Sequence, residues 1–341
     1  MPSPSELNRN RYLENFSTAA FSSGDNGDGA SGFLSRSLFG VLPVDDDAGK
    51  YHEINMDDVM RDEMRERAPG ATIEQVDWKV GDASYMTKQY AFGQKLPEEY
   101  TAKGYPALPI EEAANAIANE RAMVSMEVRF ANAAWKTGVW GRDLTGDTSD
   151  VADVSYVAWN RSASKPIHNL RAEARRMKRV GWRRPNTLAL GAKVAEDLLT
   201  NDQIIGRLNN GQTPGGPAEA SLADLAKLFR VGRVVVADAV YNSANQGATA
   251  DKDFILNERS AWLGYVAPKM TKFTLSSATT ITWRVTDVQP DQVVVNRGTV
   301  LWDAMGNVIR DNSGTRTAPK IMYPSELRVG KAWRCSYTIG S

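Results

Sequence analysis

The chain has 341 residues, is 42% apolar and 24% charged, and balances 41 basic residues against 41 acidic ones. These values allow a sizeable core, in two domains or one elaborated one, and exclude a mostly disordered chain. Zero net charge also argues against a dedicated nucleic-acid binder, whose mark is a basic excess.

A single cysteine, Cys335, excludes a disulfide framework within the chain and points to a reducing compartment. No apolar run approaches a membrane span, and the start Met-Pro-Ser-Pro-Ser-Glu reads as no signal peptide. Charge is unevenly spread. Residues 1–70 hold 13 acids and 7 bases, so the remainder carries a basic excess. Such an acidic segment is either a solvated arm or a partner for the more basic body, in the same chain or in a neighbour.

Residues 1–50 read as an irregular arm. The tract Gly24–Gly32 is turn-rich, and its acids lack the order and distal glutamate of a calcium loop. Leu34, Leu38, Phe39, Val41 and Leu42 then give the arm an apolar anchor that needs a docking surface, expected on another subunit. Residues 53–68 predict a short amphipathic helix with Met56, Val59, Met60, Met64 and Ala68 in one stripe, stopped by Pro69-Gly70. Residues 71–96 alternate, with Ile73, Val76, Trp78, Val80, Tyr85, Tyr90 and Phe92 among polar residues. This predicts a projecting β-hairpin that turns at Gly81-Asp82.

The strongest helix signal spans 109–137. Pro109 suits its first position, Glu111 and Glu112 favour its positive end, and Gly138 stops it. Its predicted stripe is Ile110, Ala114, Ile117, Val124, Val128, Ala131 and Trp135, and its length is roughly 40 Å. Arg121 interrupts that stripe, as a snorkelling arginine or as a salt-bridge partner for a neighbouring subunit. A strand at 155–159 and a helix over 166–180 follow. Arg171, Arg175, Arg176, Lys178 and Arg179 make this helix the densest basic run. It reads as a solvated or internally paired face, or as a phosphate-contacting one.

The runs Thr187–Gly191, Val234–Asn242 and Ala261–Pro268 are apolar and strand-like, with helices near 192–200 and 221–229 between them. Further strands are expected near 254–257, 279–288 and 299–302, and a closing one at 332–339. Strands and helices mix without strict alternation, which makes the fold class α+β. His52 and His168 have no metal-ligand partner at helical or turn spacing, and no nucleophile elbow, phosphate loop or dinucleotide fingerprint is present. A well-patterned core without visible chemistry shifts the search from active sites to assembly surfaces.

The order of parts is specific: acidic arm, hairpin, long helix, basic helix, mixed domain with a glycine-proline loop, β-rich end. It resembles the major capsid proteins of tailed bacteriophages, the HK97-like fold family. Tyr51–Glu63 resembles the segment before the extended loop. Trp159–Pro166 and Arg184–Gly191 resemble the passage from the spine-helix domain into the axial domain, and Ala261–Pro268 resembles an axial strand leaving toward the peripheral domain.

The resemblance implies an N-arm at 1–50 and a short helix with extended loop (E-loop) at 51–106. It implies a peripheral domain with spine helix at 107–183, an axial domain at 184–268, and a return to the peripheral domain at 269–341. It also implies self-assembly through pentamers and hexamers into an icosahedral shell around double-stranded DNA, no enzymatic activity and no cofactor. The location would be the virion, with assembly in the host cytoplasm. Implied partners are further copies of the chain, packaged DNA, a portal protein, a separate scaffolding protein and a decoration protein.

Under that reading Arg171, Arg175, Arg176 and Lys178 are candidates to face DNA or an interface. Leu34, Leu38, Phe39, Trp78, Tyr85 and Arg121 are candidates for inter-subunit contact. Lys79, Lys88 and Lys95 lie in the loop, and no crosslinking is expected of them. An encapsulin-like nanocompartment with the same fold, or a soluble enzyme with a dispersed site, are the competing readings.

Overall fold

The computed structural model describes residues 33–54 except 36, then 57, 60–64, 66 and 69, then 80–92, 95–96, 110–209 and 220–283 except 246 and 270–275. It also describes the backbone of strand segments at 300–302, 308–310, 316–317, 321–324, 326–328 and 335–339.

In chain order, a single helical turn at 34–38 leads into β1 (Val41–Val44) and β2 (Ala48–Ile54). Then come β3 (Val80–Met86), β4 (Gln89–Phe92) and β5 (Lys95–Leu96). The long helix α1 (Ile110–Ala134) precedes β6 (Arg142–Asp147) and β7 (Ser155–Val157). Helix α2 (Pro166–Gly181) starts on a proline, whose missing N–H costs nothing there, and ends at Trp182 in the left-handed region. Next are β8 (Thr187–Gly191), α3 (Ala192–Leu199), α4 (Asp202–Asn209) and α5 (Leu222–Phe229). Ser221 caps α5 by accepting the Asp224 N–H at 3.2 Å. The remaining strands are β9 (Arg233–Ala237), β10 (Val240–Asn242), β11 (Lys252–Phe254), β12 (Ser260–Gly264) and β13 (Thr279–Trp283). They are followed by β14 (Val300–Trp302), β15 (Val308–Arg310), β16 (Arg316–Thr317), β17 (Ile321–Pro324), β18 (Glu326–Arg328) and β19 (Cys335–Ile339).

The centre is a six-stranded mixed sheet in the order β7-β6-β19-β12-β8-β9. It takes strands from the 107–183, 184–268 and 269–341 stretches alike. Strand period two divides its side chains between two cores. Leu188, Leu190, Ala261 and Leu263 face a core completed by α2, α3 and α5 through Ile167, Leu170, Met177, Val194, Leu198, Leu225 and Phe229. Ala189, Ala237 and Trp262 face the opposite core, covered by Phe130 and Ala134 of α1 and by Leu34, Leu38 and Phe39 of the arm. Burial on both faces explains why β8 reads as a continuous apolar run. Smaller sheets flank this unit: β1-β13-β18, β2-β3, β4-β17, β5-β16, β10-β11 and β14-β15.

Four expectations are corrected. The Met-striped helix does not form over residues 60–64, which lack helical structure, and Met60 and Met64 are 46% and 96% exposed. Glu53 and Ile54 are instead recruited into β2, while Asp57 keeps helical structure, so the helix is shorter than its stripe predicts. Gly81-Asp82 is not a turn. It lies inside β3, opposite Glu53 and His52 of β2, so the long ribbon pairs 48–54 with 80–86. The predicted partner strand at 71–79 lies outside the described residues. The stripe of α1 is rotated: Ala114, Ala118, Ala122, Phe130 and Ala134 are buried, while Ile117 is 45% exposed. Small residues at intervals of four allow close approach of the packed elements, which the larger branched residues would obstruct. Lastly, the arm anchor docks on its own subunit, as described next.

Candidate assembly site

The arm's docking surface is built from α1 and the central sheet of the same chain. Residues 34–38 make one helical turn, with the Leu38 N–H donating to Leu34 O at 2.9 Å. One turn leaves its first N–H groups and last carbonyls without internal partners. Both ends are met by charged side chains. Glu127 of α1, fully buried, accepts the Leu34 N–H at 3.0 Å on Oε1 and the Ser35 N–H at 2.8 Å on Oε2. At the other end, Arg233 Nη2 donates to Ser37 O at 2.8 Å and Leu38 O at 3.0 Å. The carboxylate sits at the positive end of the turn and the guanidinium at the negative end, each in its favoured place.

Below the clamp, Phe39 is inserted among aromatic rings. Its centroid lies 5.3 Å from Trp262 in an edge-on arrangement, 5.8 Å from Phe130 and 6.0 Å from Trp140. The chain then continues as β1, parallel to β13, with the Thr280 N–H donating to Gly40 O. Leu34, Leu38 and Phe39 are thus 3%, 1% and 2% exposed within their own subunit. That corrects the expectation that a neighbour supplies their surface: α1 already offers a complementary face of small and aromatic residues. Burial pushes the Glu127 carboxyl above the usual carboxylate range, against the pull of the Leu34 and Ser35 N–H groups and the Ser35 hydroxyl.

The basic helix divides into committed and exposed cations. Arg171 Nε and Nη2 donate to Leu228 O at 3.0 and 2.7 Å, capping α5. Arg176 pairs with Asp153, which also holds Arg142 at 2.7 Å. Arg142 and the Tyr156 hydroxyl meet on the buried Glu173, at 3.2 and 2.7 Å. Burial, then Glu173, push the Tyr156 hydroxyl well above its ordinary value. Arg175 and Lys178 are exposed. Two of the four predicted DNA-facing cations therefore have internal work, and two point to solvent.

Arg121 lies on the exposed face of α1. Tyr85 is half-buried in β3, its hydroxyl 3.5 Å from Asp46 O. Trp78 lies outside the described residues. Lys88 is exposed, and His168 is exposed on α2. Acidic Asp57 of the N-terminal region meets the body through Trp182, whose Nε1 donates to Asp57 Oδ1 at 3.1 Å. Among the described residues no group of His, Cys, Asp and Glu is placed to hold a metal, and no helix is long and apolar enough to cross a membrane.

Sequence reasoning missed Glu127 and Arg233. A signal existed for the first: Glu127 precedes the buried Phe130 and Ala134 by three and seven residues, which puts a carboxylate on the packed face of α1.

No protein-family model matches the chain, and no curated protein matches it. Solved structures do match in fold. A phage-related protein from Bordetella bronchiseptica RB50 superposes with a TM-score of 0.66 at 17% identity, over 97% of each chain. The virus-like particle from Pyrococcus furiosus gives 0.51 at 10% identity, over 96% of this chain and 98% of that one. The mature capsid of bacteriophage PhiM1 gives 0.48 at 14% identity, over 90% and 87%. The chain is mixed α+β and, along nearly its full length, has the capsid-type fold that its order of parts resembles.

Proposed function

We propose that this chain is the major capsid protein of a tailed phage, assembling through pentamers and hexamers into an icosahedral shell around double-stranded DNA. The observation that carries the reading is the fold match to a phage-related protein over 97% of both chains. Its parts suit that work. Residues 33–54 are the root of the N-arm, the β2-β3 ribbon is the base of the extended loop, and α1 is the spine helix. The sheet strands β8, β9 and β12 with α3, α4 and α5 belong to the axial domain, and the stretch from 269 onward belongs with the peripheral domain. Catalysis plays no part in this role. Arg175 and Lys178 are the exposed cations of α2 best suited to non-specific contact with packaged phosphates. Portal, scaffolding and decoration proteins are the partners such a shell requires.

Likeness to the virus-like particle from Pyrococcus furiosus supports a second reading, a shell without a phage genome. Electron microscopy of the overexpressed protein, alone and with the products of neighbouring genes, tests both. Closed particles or rings are expected. Nuclease-protected duplex DNA inside them selects the phage reading, and protein cargo selects the other. A monomer under every condition refutes both.

A further inference from the structure

Arg171 of α2, Arg184 before β8, Arg207 of α4 and Arg230 after α5 come from four separate segments. Packing draws them together. Arg171 is fixed on Leu228 O at the end of α5, two residues from Arg230. Asn186 O accepts the Gly232 N–H at 2.7 Å and the Arg233 N–H at 3.1 Å, which ties the Arg184 stretch beside the Arg230 turn. Ile204 of α4 enters the same core as Leu170 of α2 and Leu225 of α5. Burial, then Arg230, Arg207 and Arg184, lower the pKa of Arg171. Arg184, Arg207 and Arg230 are exposed, and among the described residues no carboxylate forms an ion pair with them. Four like charges held together this way call for an anion.

The chain carries a matching one. Asp45, Asp46 and Asp47 form the exposed turn where β1 passes into β2. All three lie close enough to the Tyr85 hydroxyl that, after burial, they push it up. Among the described residues no cation forms an ion pair with Asp46 or Asp47.

We propose that the cluster of Arg171, Arg184, Arg207 and Arg230 receives Asp46 and Asp47 of a second copy, a head-to-tail contact that repeats around a ring. The contact joins two different patches, which generates rings when the rotation closes. A second copy fits better than nucleic acid, because it also supplies cations for Asp46 and Asp47 and the net charge of the chain is zero. The inference rests on the shell reading.

The test is a charge swap in the full chain. One variant carries Asp46→Arg and Asp47→Arg, another Arg184→Glu and Arg230→Glu, and a third carries all four. Sedimentation velocity and electron microscopy count rings and particles, and circular dichroism checks that each variant is folded. Either pair alone should lower the assembled fraction about tenfold or more, and the fourfold variant should recover it. Unchanged assembly in both paired variants overturns the proposal, as does a folded fourfold variant no better than its parents. An arginine variant that assembles normally but loses bound nucleic acid overturns it in favour of a DNA-facing cluster. If the unaltered protein never assembles, the shell reading falls and this contact with it. If unaltered particles form, failure of the swap removes this contact alone.

Discussion

Replacing Glu127 with alanine removes one jaw of the arm clamp. Two N–H groups lose their acceptor, at 3.0 Å for Leu34 and 2.8 Å for Ser35. The Leu34 bond is buried, and an unmet buried donor costs about 1–3 kcal/mol. The Ser35 bond is only partly buried, so water replaces much of it and the loss there is about 0.5–1 kcal/mol. Removing a carboxylate whose burial is itself unfavourable returns part of this. The expected net loss is about 2 kcal/mol, localised to the arm root. Amide hydrogen exchange reads it directly, because the Leu38 N–H closes the clamped turn and the Thr280 N–H binds Gly40 O just beyond. Protection at both should fall about thirtyfold, at roughly 1.4 kcal/mol per tenfold, while Leu188 and Leu263 in the central sheet keep theirs. Unchanged protection at Leu38, or an equal loss throughout the sheet, would refute a local clamp.

The Glu127 carboxyl also gives the fold a pH dependence of known sign. Its folded pKa lies above the ordinary 4.5, so the folded state holds the proton more tightly. That contribution is fully present below 4.5 and is lost as pH rises through the raised value. Urea midpoints of the unaltered protein should therefore fall relative to Glu127→Gln as pH rises from 4.5 toward neutrality, and a constant gap would contradict the assignment. Truncation before residue 33 leaves clamp and aromatic cage whole and should preserve the melting temperature. Truncation before residue 46 removes Leu34, Leu38 and Phe39 and should cost about 3–5 kcal/mol or more, read by calorimetry. At Gly191 an added Cβ would lie 2.4 Å from the Glu258 carbonyl oxygen, a backbone atom. Gly191→Ala should thus destabilise by about 1–3 kcal/mol in urea unfolding, where a neutral result would show that the 258 loop moves freely.

Periodicity made the central unit readable. Strands β8 and β12 and helices α2 and α5 lie where their apolar spacing places them, because each packs a face set by its own local repeat. The partner of β3 was not readable. Tyr51 and Ala83 pair across a 32-residue separation, and alternation says which face a strand buries but not which strand it joins. The clamp was hidden for a related reason. Glu127 and Arg233 act on backbone atoms 92 and 196 residues away, and a carbonyl or N–H carries no signature of its side chain. The Met stripe overran because an amphipathic pattern does not mark where a helix ends: Asp57 is helical, whereas residues 60–64 are not, and Met60 and Met64 are exposed.

Strand β19 lies between β6 and β12 in the sheet, so residues 335–339 bridge two half-sheets that otherwise share no ladder. During synthesis on the ribosome, β7-β6 and β12-β8-β9 emerge earlier and wait as separate pieces, each with an open edge. The sheet closes only after residue 339 has cleared the exit tunnel. Long-range closure of this kind is slow, and the waiting edges invite mispairing with neighbouring nascent chains.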